Sequence, residues 1–199
     1  MESTERYCAA AGVVSVALTL AAIAGAVVAA PSFTLADNAL SDLGQPGNAA
    51  ATPVTTLLFD GGLIAGGVVG LPFAAVLWRG ERHWLARSAA VPFVGALLGM
   101  AGVGLFPAGQ PLHVPAALTL YLGSMVAMGL DGLGTARSDL SRRAAGTFGL
   151  LALHVGGWWW WARGGPVLRP GLAIPELLGA GVFGAWVVWT ARWQTEAPP

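Results

Sequence analysis

Residues 8–30 read CAAAGVVSVALTLAAIAGAVVAA, a run without a charged side chain that is apolar on every face. At about 1.5 Å per residue, a helix of this length crosses the roughly 30 Å hydrocarbon core of a bilayer. A helix at the surface of a soluble protein would instead have one polar face. The run therefore predicts a transmembrane helix. The alternative is a cleaved signal peptide ending at Val28-Ala29-Ala30, but its apolar core usually has only about 7–15 residues.

The rest of the chain repeats this pattern. Of its 199 residues, 55% are hydrophobic and only 10% are charged, whereas about a quarter are charged in soluble domains. Short polar stretches separate six apolar runs, which predicts an all-α, polytopic six-helix transmembrane bundle with short loops and a single domain over residues 1–199. The predicted spans cover residues 8–30, 54–78, 88–106, 114–134, 144–161 and 174–192.

The charged residues indicate the orientation and exclude one class of partner. Three Arg lie in the loop at 79–87, three in the loop at 136–143 and one beside each terminus, whereas the opposite side has only Arg163 and Arg169. Positive charge favours the cytoplasmic side, so we expect a multi-pass protein of the cell membrane with both termini in the cytoplasm. The formal net charge of zero gives no support to nucleic-acid binding.

Glycines and tryptophans suggest packing surfaces. Gly62, Gly66 and Gly70 recur at helical spacing, as do Gly95 and Gly99. Such stripes let helices approach closely, either within one bundle or at the seam of a homo-oligomer. The run at 158–161 consists of four Trp. It is an interfacial anchor on one interpretation, and on the other a wall, including Trp158, for a lipid or isoprenoid.

Ionisable residues inside predicted spans are costly and are candidates for function. Asp60 lies about 9 Å, and His154 about 12 Å, from the outer ends of their spans at helical rise. Their similar depth allows an Asp–His pair across the bundle. Asp131 lies near the inner end of the fourth span, where we expect it to cap the helix or to pair with a loop Arg such as Arg137. The inner half otherwise looks comparatively apolar.

The fourth predicted span adds polar groups to the outer half. His113, Tyr121 and Ser124 fall within one narrow sector at 100° per residue, and Glu176 begins the sixth span on the same side. Three interpretations remain open. The residues form a buried hydrogen-bond network, or Asp60, His154 and His113 do acid–base catalysis, or the carboxylates and imidazoles bind a zinc-like ion. The spacing of these residues along the chain does not support a metal site, because they lie on four different segments. The sequence does not indicate a cofactor.

The loop after the first span contains Asp37-Asn38-Ala39-Leu40-Ser41-Asp42-Leu43-Gly44. We expect Asp37 to cap a short helix and Gly44 to end it in the left-handed conformation. Two leucines would then face the bundle, and Asn38, Ser41 and Asp42 would point elsewhere. The segment is either a structural lid or a loop that contacts substrate.

The Asn-x-Leu-Ser-Asp-Leu-Gly segment, together with Phe106-Pro107 and the nearby His113, resembles the prokaryotic six-span membrane family catalogued as domain of unknown function 998. The resemblance runs along nearly the whole chain and implies architecture more than activity. The Frag1/DRAM/Sfk1 proteins look similar in span count and in a polar first loop, an analogy that suggests lipid-related roles.

These features predict a protein surrounded by membrane lipids that binds a lipid or isoprenoid in a polar pocket of its outer half. Asn38, Ser41, Asp42, Tyr121, Glu176 and Trp158 are the predicted binding residues. Acid–base chemistry of the terpene cyclase or lipid hydrolase type is open, and so is whether the protein is an enzyme. The alternatives are a non-enzymatic structural or assembly protein and, third, a small transporter.

Overall fold

The computed structural model describes residues 3–80, 83–138, 140–164 and 171–196. Within these ranges the chain is helical and contains no β-strand, which confirms the predicted all-α class. A 3-10 turn at Leu40–Leu43 follows the first helix. The α-helices are α1 (Ser3–Val28), α2 (Pro53–Gly70), α3 (Phe73–Gly80), α4 (Trp84–Ser88), α5 (Ala90–Leu105), α6 (His113–Ala136), α7 (Ser141–Arg163) and α8 (Ala173–Glu196).

Two helical stretches, Pro53–Gly80 and Trp84–Leu105, are each broken into two helices near a proline. Pro72 separates α2 from α3, and Pro92 lies close to the break between α4 and α5. A proline ring collides with the carbonyl group four residues earlier and has no N–H to donate. That carbonyl belongs to Val68 for Pro72 and to Ser88 for Pro92. At the first break the backbone tightens, since the N–H of Leu71 donates to the carbonyl of Val68 at 3.2 Å.

Five helical stretches are long and apolar enough to cross a membrane, as expected of a multi-pass membrane protein. They are Ser3–Val28, Pro53–Gly80, Trp84–Leu105, His113–Ala136 and Ala173–Gln194. Helix α7 is not among them. It has 23 residues, a sufficient length, but it includes Arg142, Arg143, His154 and Arg163. Five of the six predicted spans therefore have the composition of a span, and the fifth in chain order, which is α7, does not.

The long helices form a closed ring. Helix α1 packs on α2, α2 packs on α5, and α5 packs on α6, while α7 lies between α6 and α8. Contacts between α8 and α1 close the ring. The end of the bundle that carries Leu40–Leu43 is called the first-loop end below, and the opposite end, where α1 begins and α8 ends, is called the far end.

The predicted glycine stripes pack inside this ring. Added Cβ atoms at Gly62 and Gly66 would collide with Ala22 and Thr19 of α1. One added at Gly99 would lie 2.7 Å from the carbonyl oxygen of Ala116 in α6. Gly62, Gly66 and Gly99 therefore serve helix contacts within the chain. Gly95 is the exception, because nothing lies within 4 Å of a Cβ added there.

Candidate functional site: an elongated cavity

An elongated cavity runs inside the ring of helices. Residues of α1, α2, α5, α6, α8 and the 3-10 turn line it. Along α8 the lining extends from Glu176 to Val187, which is about 16 Å at helical rise. The space between the lining atoms is about 880 Å³, including a part open to the outside, and about 70 Å³ of it is wide enough for the centre of a water-sized sphere. The cavity is thus long and narrow.

The cavity is apolar over most of its length and polar at the first-loop end. Towards the far end its wall consists of side chains such as Phe93, Phe183 and Val187. At the first-loop end the wall includes Ser41, His113, Tyr121 and Glu176, and these four residues are called the polar mouth below. All four are residues that the sequence predicted for the site.

Glu176 ties the polar mouth to the first loop. Its side chain is 7% exposed, and its Oε2 accepts a hydrogen bond of 2.6 Å from the backbone N–H of Leu40. Because Leu40 itself is buried, this bond fixes the 3-10 turn over the N-terminus of α8. The carboxylate therefore has a structural partner and still borders the cavity.

His113 is held in one tautomer. Its Nδ1 lies 2.8 Å from the carbonyl oxygen of Phe106. A carbonyl oxygen only accepts, so Nδ1 carries the hydrogen and Nε2 of the neutral ring has a free lone pair. Phe106 ends α5 and His113 begins α6, so the connection between these helices orients the ring. The imidazole is arranged as a hydrogen-bond acceptor or a base.

The first loop adopts a shape that differs from the predicted one. The carboxylate of Asp42 accepts hydrogen bonds from the side chain of Asn38 at 2.8 Å and from the N–H of Ala39 at 3.1 Å. Ala39 rather than Asp37 precedes the turn, and Asp37 accepts instead from the hydroxyl of Thr34. The hydrogen bond between Asn38 and Asp42 therefore stabilises the turn.

Two further expectations about this loop are wrong. Gly44 has φ −105°, which is not the left-handed region. It is needed for space instead, because an added Cβ would collide with the carboxylate of Asp60. Ser41 does not point away from the bundle but borders the cavity, with 8% of its surface exposed. The expectation that Leu40 and Leu43 face the bundle is confirmed, since both are buried.

Comparison with known proteins gives a family. Residues 13–193 match the model of a family described as protein of unknown function, DUF998. The chain belongs to this family. No curated protein and no solved structure matches it.

The residues that suggested the DUF998 family make hydrogen bonds that hold the structure around the cavity. The carbonyl of Asn38 accepts from the N–H of Ala173 at 2.9 Å, which joins the first loop to the start of α8. In this DUF998 protein the motif therefore builds the closure over the cavity, and only Ser41 and Leu40 of the motif line it. The carbonyl of Phe106 orients His113, as described above.

Asp60 and His154 are not brought together in this DUF998 protein. Asp60 lies on α2 against Gly44, and no hydrogen bond or ion pair of its side chain occurs in the described ranges. His154 is 1% exposed, and neither of its ring nitrogens has a hydrogen-bond partner among the described residues. The predicted Asp–His pair is therefore absent, and neither side chain lines the cavity.

His154 and Trp158 form a second layer behind the cavity. The ring of Tyr121 lies 6.1 Å from that of His154 and 4.9 Å from that of Trp158, both edge-on. Trp158 therefore backs a lining residue rather than lining the cavity itself. Among the described residues, no group of three or more His, Cys, Asp or Glu side chains is placed to hold a metal ion.

The far end contains a buried polar network that the sequence did not predict. The carboxylate of Asp131 accepts from Arg143 at 2.7 Å, from the indole N–H of Trp186 at 2.9 Å and from Thr147 at 3.3 Å. Asp131 is fully buried, and Arg143 is 2% exposed. The expected pairing of Asp131 with an Arg of the stretch 136–143 is therefore confirmed, with Arg143 instead of Arg137 as the partner. The inner half of the bundle is less apolar than expected.

Helix α1 contributes polar side chains to the cavity wall that were not among the predicted site residues. Ser15 and Thr19 line the cavity together with Gly12 and Ile23. Their spacing of three and four residues places all four on one face of a helix. That spacing was a signal in the printed sequence, since Ser15 and Thr19 interrupt an otherwise apolar run.

Proposed function

We propose that this protein binds the hydrocarbon chain of a lipid or isoprenoid in the cavity, with the ligand's polar head at the polar mouth. One observation carries the proposal: most of the cavity wall is apolar, and Ser41, His113, Tyr121 and Glu176 lie together at its first-loop end. Its length of about 16 Å at helical rise matches one leaflet, which is half of a hydrocarbon core of about 30 Å. A single extended chain fits such a narrow space better than a bulky ligand does.

If the protein also carries out acid–base chemistry, His113 is the group best arranged for it. Its free Nε2 belongs to a cavity-lining ring whose other nitrogen is held by a backbone carbonyl, and a base needs such an orientation. Asp60 and His154 lack this support, because they do not line the cavity. We therefore assign binding to the cavity and, within it, the role of a base to His113.

We also propose that α7 spans the membrane as the fifth of six spans and that both termini lie in the cytoplasm. Helix α7 has 23 residues, about 34 Å at helical rise, and it packs between two helices that have the composition of spans. The charge of Arg143, the most buried of its arginines, is paired with Asp131, which lowers the cost of that residue in a membrane.

Reporter fusions test this topology. Green fluorescent protein and alkaline phosphatase would be fused in turn to each terminus. Green fluorescent protein fluoresces when it stays in the cytoplasm but not when it is exported unfolded, whereas alkaline phosphatase is active only outside. Six spans give fluorescence and no phosphatase activity at both ends. A phosphatase-active C-terminus with a fluorescent N-terminus would indicate five spans and contradict the assignment of α7.

Native mass spectrometry of the protein released from its own membrane tests the binding proposal. Ala180 lines the cavity, so Ala180→Leu fills part of it. Ala24 is exposed on α1, and Ala24→Leu is the matched control with the same added volume. We expect the wild type and Ala24→Leu to retain a lipid or isoprenoid and Ala180→Leu to lose it. An empty wild type, or equal retention by all three, would contradict the proposal and favour a structural or assembly role.

A further inference from the structure

The side-chain hydrogens along the cavity wall are largely committed to backbone carbonyls. Each of four lining residues donates its polar hydrogen to the main chain, away from the cavity. These bonds run from Ser15 to Gly66 (2.7 Å), from His113 to Phe106 (2.8 Å), from Ser124 to Tyr121 (2.8 Å) and from Tyr121 to Glu176 (3.4 Å). What these residues still offer a ligand is lone pairs.

The remaining polar groups of the polar mouth are also mainly acceptors. The carboxylate of Glu176 borders the cavity and accepts a hydrogen bond from the backbone N–H of Leu40. That N–H is therefore not available to a ligand. Nε2 of His113 has a free lone pair, as shown above. Only the hydroxyl groups of Ser41 and Thr19, which have no partner in the described ranges, are left as donors.

Positive charge is absent from the cavity wall in the described part of the chain, because no Arg or Lys lines it. A phosphate head would bring negatively charged acceptor oxygens against a carboxylate and an imidazole lone pair. Acceptors that face acceptors leave hydrogen bonds unmade, and desolvated like charges repel each other. The wall is thus unsuited to an anionic head.

From this inventory of donors and acceptors we infer that the ligand's head is a hydroxyl group, so that the ligand is a long-chain alcohol such as an isoprenoid alcohol. Its hydroxyl donates to the carboxylate of Glu176 or to Nε2 of His113 and accepts from Ser41. The inference rests on the proposed function, since it names the chemical class of the ligand in the same cavity. The inference predicts that the cavity binds an alcohol more tightly than the phosphate ester with the same hydrocarbon chain.

Two probes with one chain test the inference. Purified wild-type protein in nanodiscs of a zwitterionic lipid would be titrated with farnesol and, separately, with farnesyl phosphate, and bound ligand counted by native mass spectrometry. We expect farnesol to bind at least about tenfold more tightly. Equal or tighter binding of farnesyl phosphate would overturn the choice of head group while leaving the chain-binding proposal intact. If neither probe bound, the proposed function itself would fail.

An isosteric variant tests the role of Glu176. In Glu176→Gln the side-chain oxygen still accepts from Leu40, so the first loop keeps its anchor, while the new amide group offers N–H donors to the cavity. We expect the preference for farnesol to shrink by about threefold or more. Glu5→Gln, on α1 and outside the cavity wall, is the control and should keep the wild-type preference. An unchanged preference in Glu176→Gln would overturn the role of this carboxylate.

Discussion

Removing the carboxylate of Asp131 is expected to destabilise the protein strongly. In Asp131→Ala the buried guanidinium group of Arg143 loses its ion pair with residue 131, and the N–H of Trp186 and the hydroxyl of Thr147 lose their acceptor. Because the far ends of α6, α7 and α8 meet at this carboxylate, the change acts on three helices at once.

The magnitude follows from the number and kind of these contacts. A hydrogen bond between transmembrane helices contributes about 0.6 kcal/mol on average, so three such bonds account for roughly 2 kcal/mol. Breaking a buried ion pair by removing one partner costs about 3–5 kcal/mol, because a charge is left uncompensated. We therefore expect Asp131→Ala to lower the free energy of unfolding by more than about 3 kcal/mol. Thr147→Val, which removes a single bond, should cost less than about 1 kcal/mol.

Unfolding by sodium dodecyl sulfate in mixed micelles, followed by far-ultraviolet circular dichroism, measures these free energies. Arg143→Leu and the double variant complete a mutant cycle with Asp131→Ala. The double variant should lose at least about 2 kcal/mol less than the sum of the single variants, since each single variant already removes the interaction that the two residues share. Arg142→Leu, at the exposed neighbouring position, is the control. Additive single effects, or a loss in Asp131→Ala no larger than in Thr147→Val, would refute the reasoning.

Two smaller predictions concern the first loop and use the same unfolding assay. Gly44→Ala should cost about 1–3 kcal/mol by overpacking against Asp60, and an Asp60→Ala background should remove most of that cost; a persistent cost would mean that the contact is not its cause. Leu43→Ala, at a fully buried position, should cost about 2–5 kcal/mol. Leu35→Ala, at a position 41% exposed, should change the free energy of unfolding by less than about 0.5 kcal/mol, and equal effects of the two leucines would contradict the packing of the turn.

The helices were predictable because the bilayer imposes one dominant rule on the sequence. Backbone groups in the hydrocarbon core must be paired within the segment, so an apolar run of sufficient length becomes a helix. Residues 114–134 were predicted for the fourth span, and the structure has His113–Ala136. The same rule is weaker for α7, where Arg143 and His154 lower the apolarity while the helix persists.

Part of the candidate site followed from geometry within one helix. Ser124 shares a face with His113 and Tyr121 because 100° per residue fixes their directions, and all three do line one cavity. Contacts between helices were a different matter. Asp60 and His154 were placed at similar depth from their distances to the span ends, but depth does not give the direction in which a helix faces. The structure turns the two residues towards different neighbours.

The two ends of the bundle differ in a way that bears on transport. At the far end, Trp186 donates to Asp131 and also stacks on Phe183, a cavity-lining residue, with ring centroids 5.8 Å apart. A buried ion pair therefore braces the apolar end of the cavity, and opening that end would separate charges in a medium of low dielectric constant. At the first-loop end, the polar mouth keeps lone pairs without partners. Alternating access requires both ends to open at comparable cost. The braced far end therefore argues against a path through the bundle, while at the other end the first loop closes the cavity through the Glu176–Leu40 and Asn38–Ala173 hydrogen bonds.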